Sequence, residues 1–504
     1  MDSFPLHEMT IREHQQAMAD GRLTAHAITQ LYLDRIAQLD KQGPTLNAII
    51  ELNPDALATA AALDTERQKT GPRSPLHGIP ILIKDNIDTA DKMQTTAGSL
   101  ALAGSIPLQD AFIVQQLRAA GAIILGKTNL SEWANFRSSR STSGWSSRGG
   151  QTRNPYALDR NPCGSSSGSG TAVSANLCAT AIGTETNGSI ICPSHINGIV
   201  GLKPTVGLVS RAGIIPIAHS QDTAGPMTRT VADAAILLGA LSGADPRDPA
   251  TAASTGKIHD DYTQFLDADG LRGARIGVAR NFFGFNSQVD QIMEASIDLM
   301  QRLGATIIDP ANLDNVKQFG ETEMTVLLYE FKADLNAYLA QLGPDAPVKS
   351  IDDIIVFNEQ HADLTMPYFA QEAMQQAAEK GPLSESAYWE ALANNHKQAR
   401  DEGIDAVLRQ HQLDAIIAPS GGPAWFTDWV NGDHHGGSSS SPAAVAGYPS
   451  ITVPAGFVFG LPVGISFFST AYREPTLLKL AYAFEQASRV RRPPQFLPTV
   501  AFTA

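Results

Sequence analysis

The chain has 504 residues, 43% hydrophobic and 17% charged, with a formal net charge of −14. Such a composition supplies ample apolar material for a large core, and the acidic balance argues against general binding to nucleic acid or anionic membrane surfaces. Three cysteines (Cys163, Cys178, Cys192), none in a C-x-x-C pair, exclude a disulfide framework and a cysteine zinc site.

The start, MDSFPLHEMTIREHQQ, has neither a basic n-region nor an apolar h-region. No apolar run reaches the roughly 18 residues of a membrane span. The expectation is a soluble protein, cytoplasmic as it stands, or periplasmic or secreted if a leader has been removed. Residues 24 to 40 place Ile28, Leu31, Tyr32, Ile36 and Leu39 on one helical stripe, and an alanine-rich helix follows near 54 to 68. HGIPILIKDNID (77 to 88) predicts a buried strand that ends at Lys84. FIVQQLRAAGAIILGKTN (112 to 129) predicts a helix, a glycine stop, a strand and a polar loop. GARIGVAR (273 to 280), a helix near 287 to 303 and ATIID (305 to 309) repeat that alternation. DAIIAP, SITVPAGF and LPVGISFF predict further strands, and 476 to 489 a final helix.

This order predicts an α/β fold with a mixed or mostly parallel central sheet. Residues 315 to 400 break the alternation and predict a helical insertion covering one side of the sheet and helping to wall a substrate entrance. The Gly/Ser stretch 432 to 444 lies between apolar segments and predicts a loop inside the domain. No period of 20 to 50 residues marks a repeat protein.

NPCGSSSGSGTAV (161 to 173) contains Gly164-x-Ser166-x-Gly168, the spacing of a hydrolase nucleophile elbow. An elbow needs a hydrophobic strand running into the serine, and TRNPYALDRNP supplies none. No G-K-[ST] follows for a phosphate loop, and no dinucleotide fingerprint fits. What remains is a Gly/Ser loop capping a helix at about 171 to 182. Two other segments bear on it. In GTETNGSIICPSHINGIVGLKPT (183 to 205), glycines and small polar residues surround Ser189, and successive N–H groups from Thr186 to Ser189 can form an anion-binding nest. The other segment is the strand-end Lys84, which taken alone reads as a snorkelling surface residue.

Together, ILIKDN with Lys84, CGSSSGSG with Ser165, TNGSI with Ser189 and GIVGLKPT (198 to 205) resemble the amidase signature family. KTNLSEWA (127 to 134) and GYPSITVPAGF…LPVGISF extend the resemblance over nearly the whole chain, and within the family it is most similar to the bacterial peptide amidases. The resemblance implies one amidase domain over 1 to 504, with a helical N-terminal part (about 1 to 70), a signature core (about 77 to 235) and the insertion at 315 to 400. A central mixed sheet would be covered by helices on both faces.

It further implies Ser189 as nucleophile, Ser165 as a bridging serine after a cis peptide bond, and Lys84 as base. Thr186, Asn187, Gly188 and Ser189 would form the oxyanion hole. Ser166 would orient Lys84, and Asn135 would contact substrate. Lysine can act as a base where burial lowers its pKa toward 7–8. The family commonly has Gly at Asn187, Asp at Glu185, Arg at Ile191, and Gly at Cys163 and Ser167. Asparagine tolerates positive φ, so the nest is expected to survive. Cys163 and Cys192 read as small buried fillers, and His195 receives no role. Trp425, Phe426 and Trp429 are candidates to line a side-chain pocket. His434 and His435 lack a metal-ligand pattern, and no metal or cofactor is expected.

The activity implied is hydrolysis of peptide C-terminal amides by a chain acting alone, without nucleic acid. The alternatives are the catalytic subunit of a tRNA-dependent amidotransferase, a small-amide or fatty-amide amidase, or a non-catalytic scaffold.

Overall fold

The computed structural model describes residues 4–344 and 346–502. The two ends of the expected domain, 1 to 3 and 503 to 504, and residue 345 of the insertion lie outside them. Eleven strands form one sheet: β1 (Ile49–Leu52), β2 (Pro80–Lys84), β3 (Ile123–Thr128), β6 (Thr180–Glu185), β7 (Val200–Lys203), β8 (Thr223–Thr228), β9 (Arg275–Val278), β10 (Thr306–Ile308), β11 (Ala415–Pro419), β12 (Ser450–Val458) and β13 (Leu461–Phe468). β4 (Trp145–Ser146) and β5 (Gly150–Gln151) make a separate small hairpin. The order in the sheet is β1-β3-β2-β6-β8-β7-β12-β13-β11-β9-β10. β3-β2-β6 and β11-β9-β10 are parallel, while the centre from β6 to β11 is antiparallel, so the sheet is mixed rather than mostly parallel.

Every residue of β2, β3, β6, β11 and β13 is buried, which is why these strands read as continuous apolar or small-residue runs. Helices Ala25–Leu39, Val231–Leu241 and Ser287–Arg302 start where Thr24, Thr230 and Asn286 accept hydrogen bonds from first-turn N–H groups. The main core lies between the sheet and its helices. Among the described residues no helix is long and apolar enough to cross a membrane.

Two expectations change. The helix expected at 171 to 182 is instead Ser167–Ser174, and β6 follows at Thr180–Glu185. Pairing of β6 between β2 and β8 overrides the weak local preferences of ATAIGTE. Gly168 lets the new helix press against the backbone, because a Cβ there would stand 2.3 Å from the Ala48 carbonyl oxygen. The insertion contains Gly320–Gln341, Ile351–Gln360, Glu372–Ala378 and Ser386–His396. Most of its buried apolar residues pack with Ala97, Leu102, Trp133 and Ile217 beyond the strands, and only Phe319 and Ala399 near its ends join Ile416 and Ala418 of β11 and Phe468 of β13.

β2 and β6 are parallel, with Ile83 opposite Ile182, so Lys84 and Glu185 leave the sheet at the same edge. In α/β sheets that carboxyl-end edge is where ligands bind.

Candidate active site

Lys84 is fully buried at the end of β2. Its Nζ donates to Ser165 Oγ at 2.7 Å, to Thr184 Oγ1 at 2.8 Å and to the Thr184 carbonyl at 3.2 Å. Burial pulls its pKa down to about 7, although the Asp222 and Glu185 carboxylates oppose the shift. Lys127 and Lys203 are also buried and lowered by burial. Lys127 donates to the Ile87 carbonyl and the Thr95 hydroxyl, and Lys203 to the Pro204 carbonyl. Of these three lysines only Lys84 meets a serine hydroxyl.

The Gly164–Ser165 peptide bond is cis. Ser166 makes no hydrogen bond to Lys84. Its hydroxyl donates to the Thr184 carbonyl at 3.1 Å and accepts from the Thr184 N–H at 3.2 Å, so it bears on Lys84 through Thr184. The Ser166 N–H donates to the Ser189 carbonyl at 3.2 Å, tying the Gly/Ser loop to the turn after β6.

That turn carries Thr186 to Ser189. None of its four N–H groups donates to a partner among the described residues. Glu185, buried behind it, accepts the next two N–H groups, those of Ile190 at 2.7 Å and Ile191 at 3.0 Å, and so fastens the turn from below. The positive φ falls on Gly188 (79°) and not on Asn187, so the turn does not draw on the tolerance of asparagine for that conformation. The Asn187 side chain instead joins other residues of the cavity wall. Its Nδ2 donates to Glu323 Oε1 at 2.7 Å and Ser441 Oγ at 3.1 Å, and its Oδ1 accepts from Ser440 at 2.8 Å. The Ser189 hydroxyl makes no hydrogen bond within the described chain, including none to Ser165, and Ser189 borders a cavity of about 400 Å³.

Asn135 lines that cavity with a φ of 72°, and its Oδ1 is buried without a partner. Trp425 lines it too. Phe426 and Trp429 do not, and border another cavity beside Trp145 and Tyr368. His195 forms part of the wall, and burial with His435 nearby pushes it down to about 3, leaving it neutral at pH 7. His434 and His435 join no cluster of three metal-binding groups among the described residues. The one such cluster, His219, Glu330 and Asp334, is an ion-pair arrangement in which both imidazole nitrogens already face carboxylates.

Cys163 and Cys192 are not separate fillers. They form a disulfide with Cα atoms 6.0 Å apart, and both border the cavity. The bond joins the loop bearing Ser165 to the helix Ile191–Ile196 that follows Ser189. Cys178 is free and buried. Sequence reasoning also missed Glu323 and Asp433 in the cavity wall; neither stands in a motif, and both arrive from distant segments.

A parallel-sheet edge bearing a buried lysine, two serine segments and a turn of undonated N–H groups forms the candidate active site. The Amidase family model matches residues 27–478, and the chain belongs to the amidase signature family. It is an amide-hydrolysing enzyme. The crystal structure of the native peptide amidase from Stenotrophomonas maltophilia is 52% identical, with a TM-score of 0.93 over 98% of this chain and 99% of that one. A probable amidase of Arabidopsis thaliana is 42% identical over 98% of this chain and 93% of its own length. A glutamyl-tRNA(Gln) amidotransferase subunit of Pseudomonas aeruginosa is 34% identical over 96% and 98%.

Proposed function

We propose that this enzyme hydrolyses the C-terminal carboxamide of peptides, releasing ammonia, with Ser189 as nucleophile, Ser165 as relay and Lys84 as base. The observation that carries the reading is the 2.7 Å contact from fully buried Lys84 to Ser165. A lysine near 7 is largely neutral at slightly alkaline pH and able to take a proton. Ser165 passes its proton to Lys84 as it receives the Ser189 proton. The Ser189 oxygen then bonds to the amide carbon, and the developing oxyanion takes the undonated N–H groups of residues 186 to 189. The relay returns the proton to nitrogen, the C–N bond breaks and ammonia leaves. Water, deprotonated by the same relay, cleaves the acyl-enzyme to the free acid. The Ser189 hydroxyl must turn toward Ser165 for this, and it is free of other bonds within the described chain.

The peptide substrate is supported by similarity to peptide amidase over nearly the full length of both chains. The similarity to a glutamyl-tRNA(Gln) amidotransferase favours a second reading, in which ammonia passes to a tRNA-bound acyl group in a complex. An ammonia-release screen over amidated peptides, the same peptides as free acids, and internal peptide bonds decides between them. Release by the purified chain from amidated peptides alone supports the first. Activity only with partner proteins and tRNA supports the second.

A further inference from the structure

The cavity in front of Ser189 is walled by two carboxylates, Glu323 and Asp433, and among the described residues no lysine or arginine lines it. The carboxylates differ in how fully the chain uses them. Asp433 accepts from the Ser143 N–H and hydroxyl, from Asn161 and from the Trp425 indole, so both of its oxygens are engaged. Glu323 engages only Oε1, which accepts from Asn187 at 2.7 Å and Gln221 at 3.1 Å. Its Oε2 accepts from no group among the described residues and is not sealed inside the protein. A carboxylate has about four acceptor positions, so an open half of Glu323 faces the site.

Its surroundings suit one kind of visitor. Met324 and Leu327, on the same helix, offer an apolar wall beside the carboxylate, and Ile217 continues it. An arginine or lysine side chain combines an aliphatic stem with a charged head, matching that wall and that oxygen. Burial pushes the Glu323 carboxyl above its ordinary range, so its charge gains from a cation brought alongside. Neutral His195 does not supply one.

We infer that Glu323 is a specificity-determining residue that receives the cationic side chain of the amidated residue, so that peptides ending in arginine or lysine amide are preferred and those ending in glutamate amide are rejected. This rests on the peptide-amide reading above. The test measures kcat/KM for ammonia release from the amides of N-acetylated arginine, citrulline and glutamate. Citrulline keeps the shape of arginine without the charge. Wild type is expected to favour arginine over citrulline by about tenfold, with glutamate last. Glu323→Gln should bring the arginine-to-citrulline ratio close to one, whatever happens to absolute rates, because glutamine still accepts from Asn187 and Gln221. Glu323→Leu removes both contacts and should lower turnover of all three. A wild-type ratio near one, or a ratio retained in Glu323→Gln, overturns the assignment. Ammonia from none of the three amides overturns the proposed peptide-amide substrate, and the assignment with it.

Discussion

Lys84 Nζ donates to the hydroxyl of Ser165 at 2.7 Å across a sequence separation of 81 residues. The contact arises because β2 ends beside β6, and Thr184 of β6 holds both Lys84 and Ser166. A lysine in this position serves the proposed relay only if it gives and takes a proton. Lys84→Met should therefore lower kcat by about 10²–10⁴, the usual contribution of a general base, while circular dichroism stays that of the wild type. A turnover within twofold of wild type would contradict the assignment.

The same lysine should leave a mark on stability. Its pKa is about 7 in the folded protein, against an ordinary 10.5. Between those values the unfolded chain holds the extra proton, so this group makes stability rise with pH in that window. Urea unfolding of wild type and Lys84→Met at pH 7 and pH 9 should show wild type gaining roughly 2–3 kcal/mol relative to the variant. Parallel curves at both pH values would mean that Lys84 keeps its proton on folding.

Gly188 takes the positive φ of the turn before Ser189, and a Cβ there would stand 3.0 Å from Ser440 Oγ. Gly188→Ala should strain the turn by about 1–2 kcal/mol and redirect the N–H groups proposed to hold the oxyanion. We expect kcat to fall by about 10²–10³ with a smaller change in KM. Steady-state ammonia release separates the two, and an effect confined to KM would remove the turn from the oxyanion role.

The Cys163–Cys192 bond spans 29 residues and encloses both catalytic serine candidates. Closing a loop of that length is worth roughly 3–4 kcal/mol by chain entropy. The double variant Cys163→Ala/Cys192→Ala should lose about that much in urea unfolding, and its turnover should fall because the Ser165 loop and the Ser189 turn are no longer joined. Unchanged midpoint and turnover would show that packing alone holds these segments.

Much of this was legible locally. PILIK reads as a buried strand ending in lysine, and the spacing of its neighbours places Ser165 and Ser189 in the same family pattern. The β6 strand was hidden, because ATAIGTE has little β-forming bulk and pairs only through tertiary contacts with Ile81 to Ile83 and with β8. The disulfide was hidden for a related reason: two cysteines 29 residues apart show no proximity in sequence, and helix packing supplies it. Glu323 stands 136 residues from Asn187 on a helix without a motif, so no local signal connected it to the turn. Asn187 itself was legible as a departure from glycine. Its consequence was not, since the next residue takes the positive φ and Asn187 bonds to Ser440 and Glu323 along the cavity wall.

The central claim is that a neutral lysine activates Ser189 through Ser165. The pH dependence of kcat/KM for ammonia release from a neutral peptide amide, followed from pH 5 to 9, tests it most directly. With Lys84 near 7, the rate should rise about tenfold per pH unit below pH 7 and level off above it. A profile that stays flat down to pH 5 would contradict a lysine base at this site.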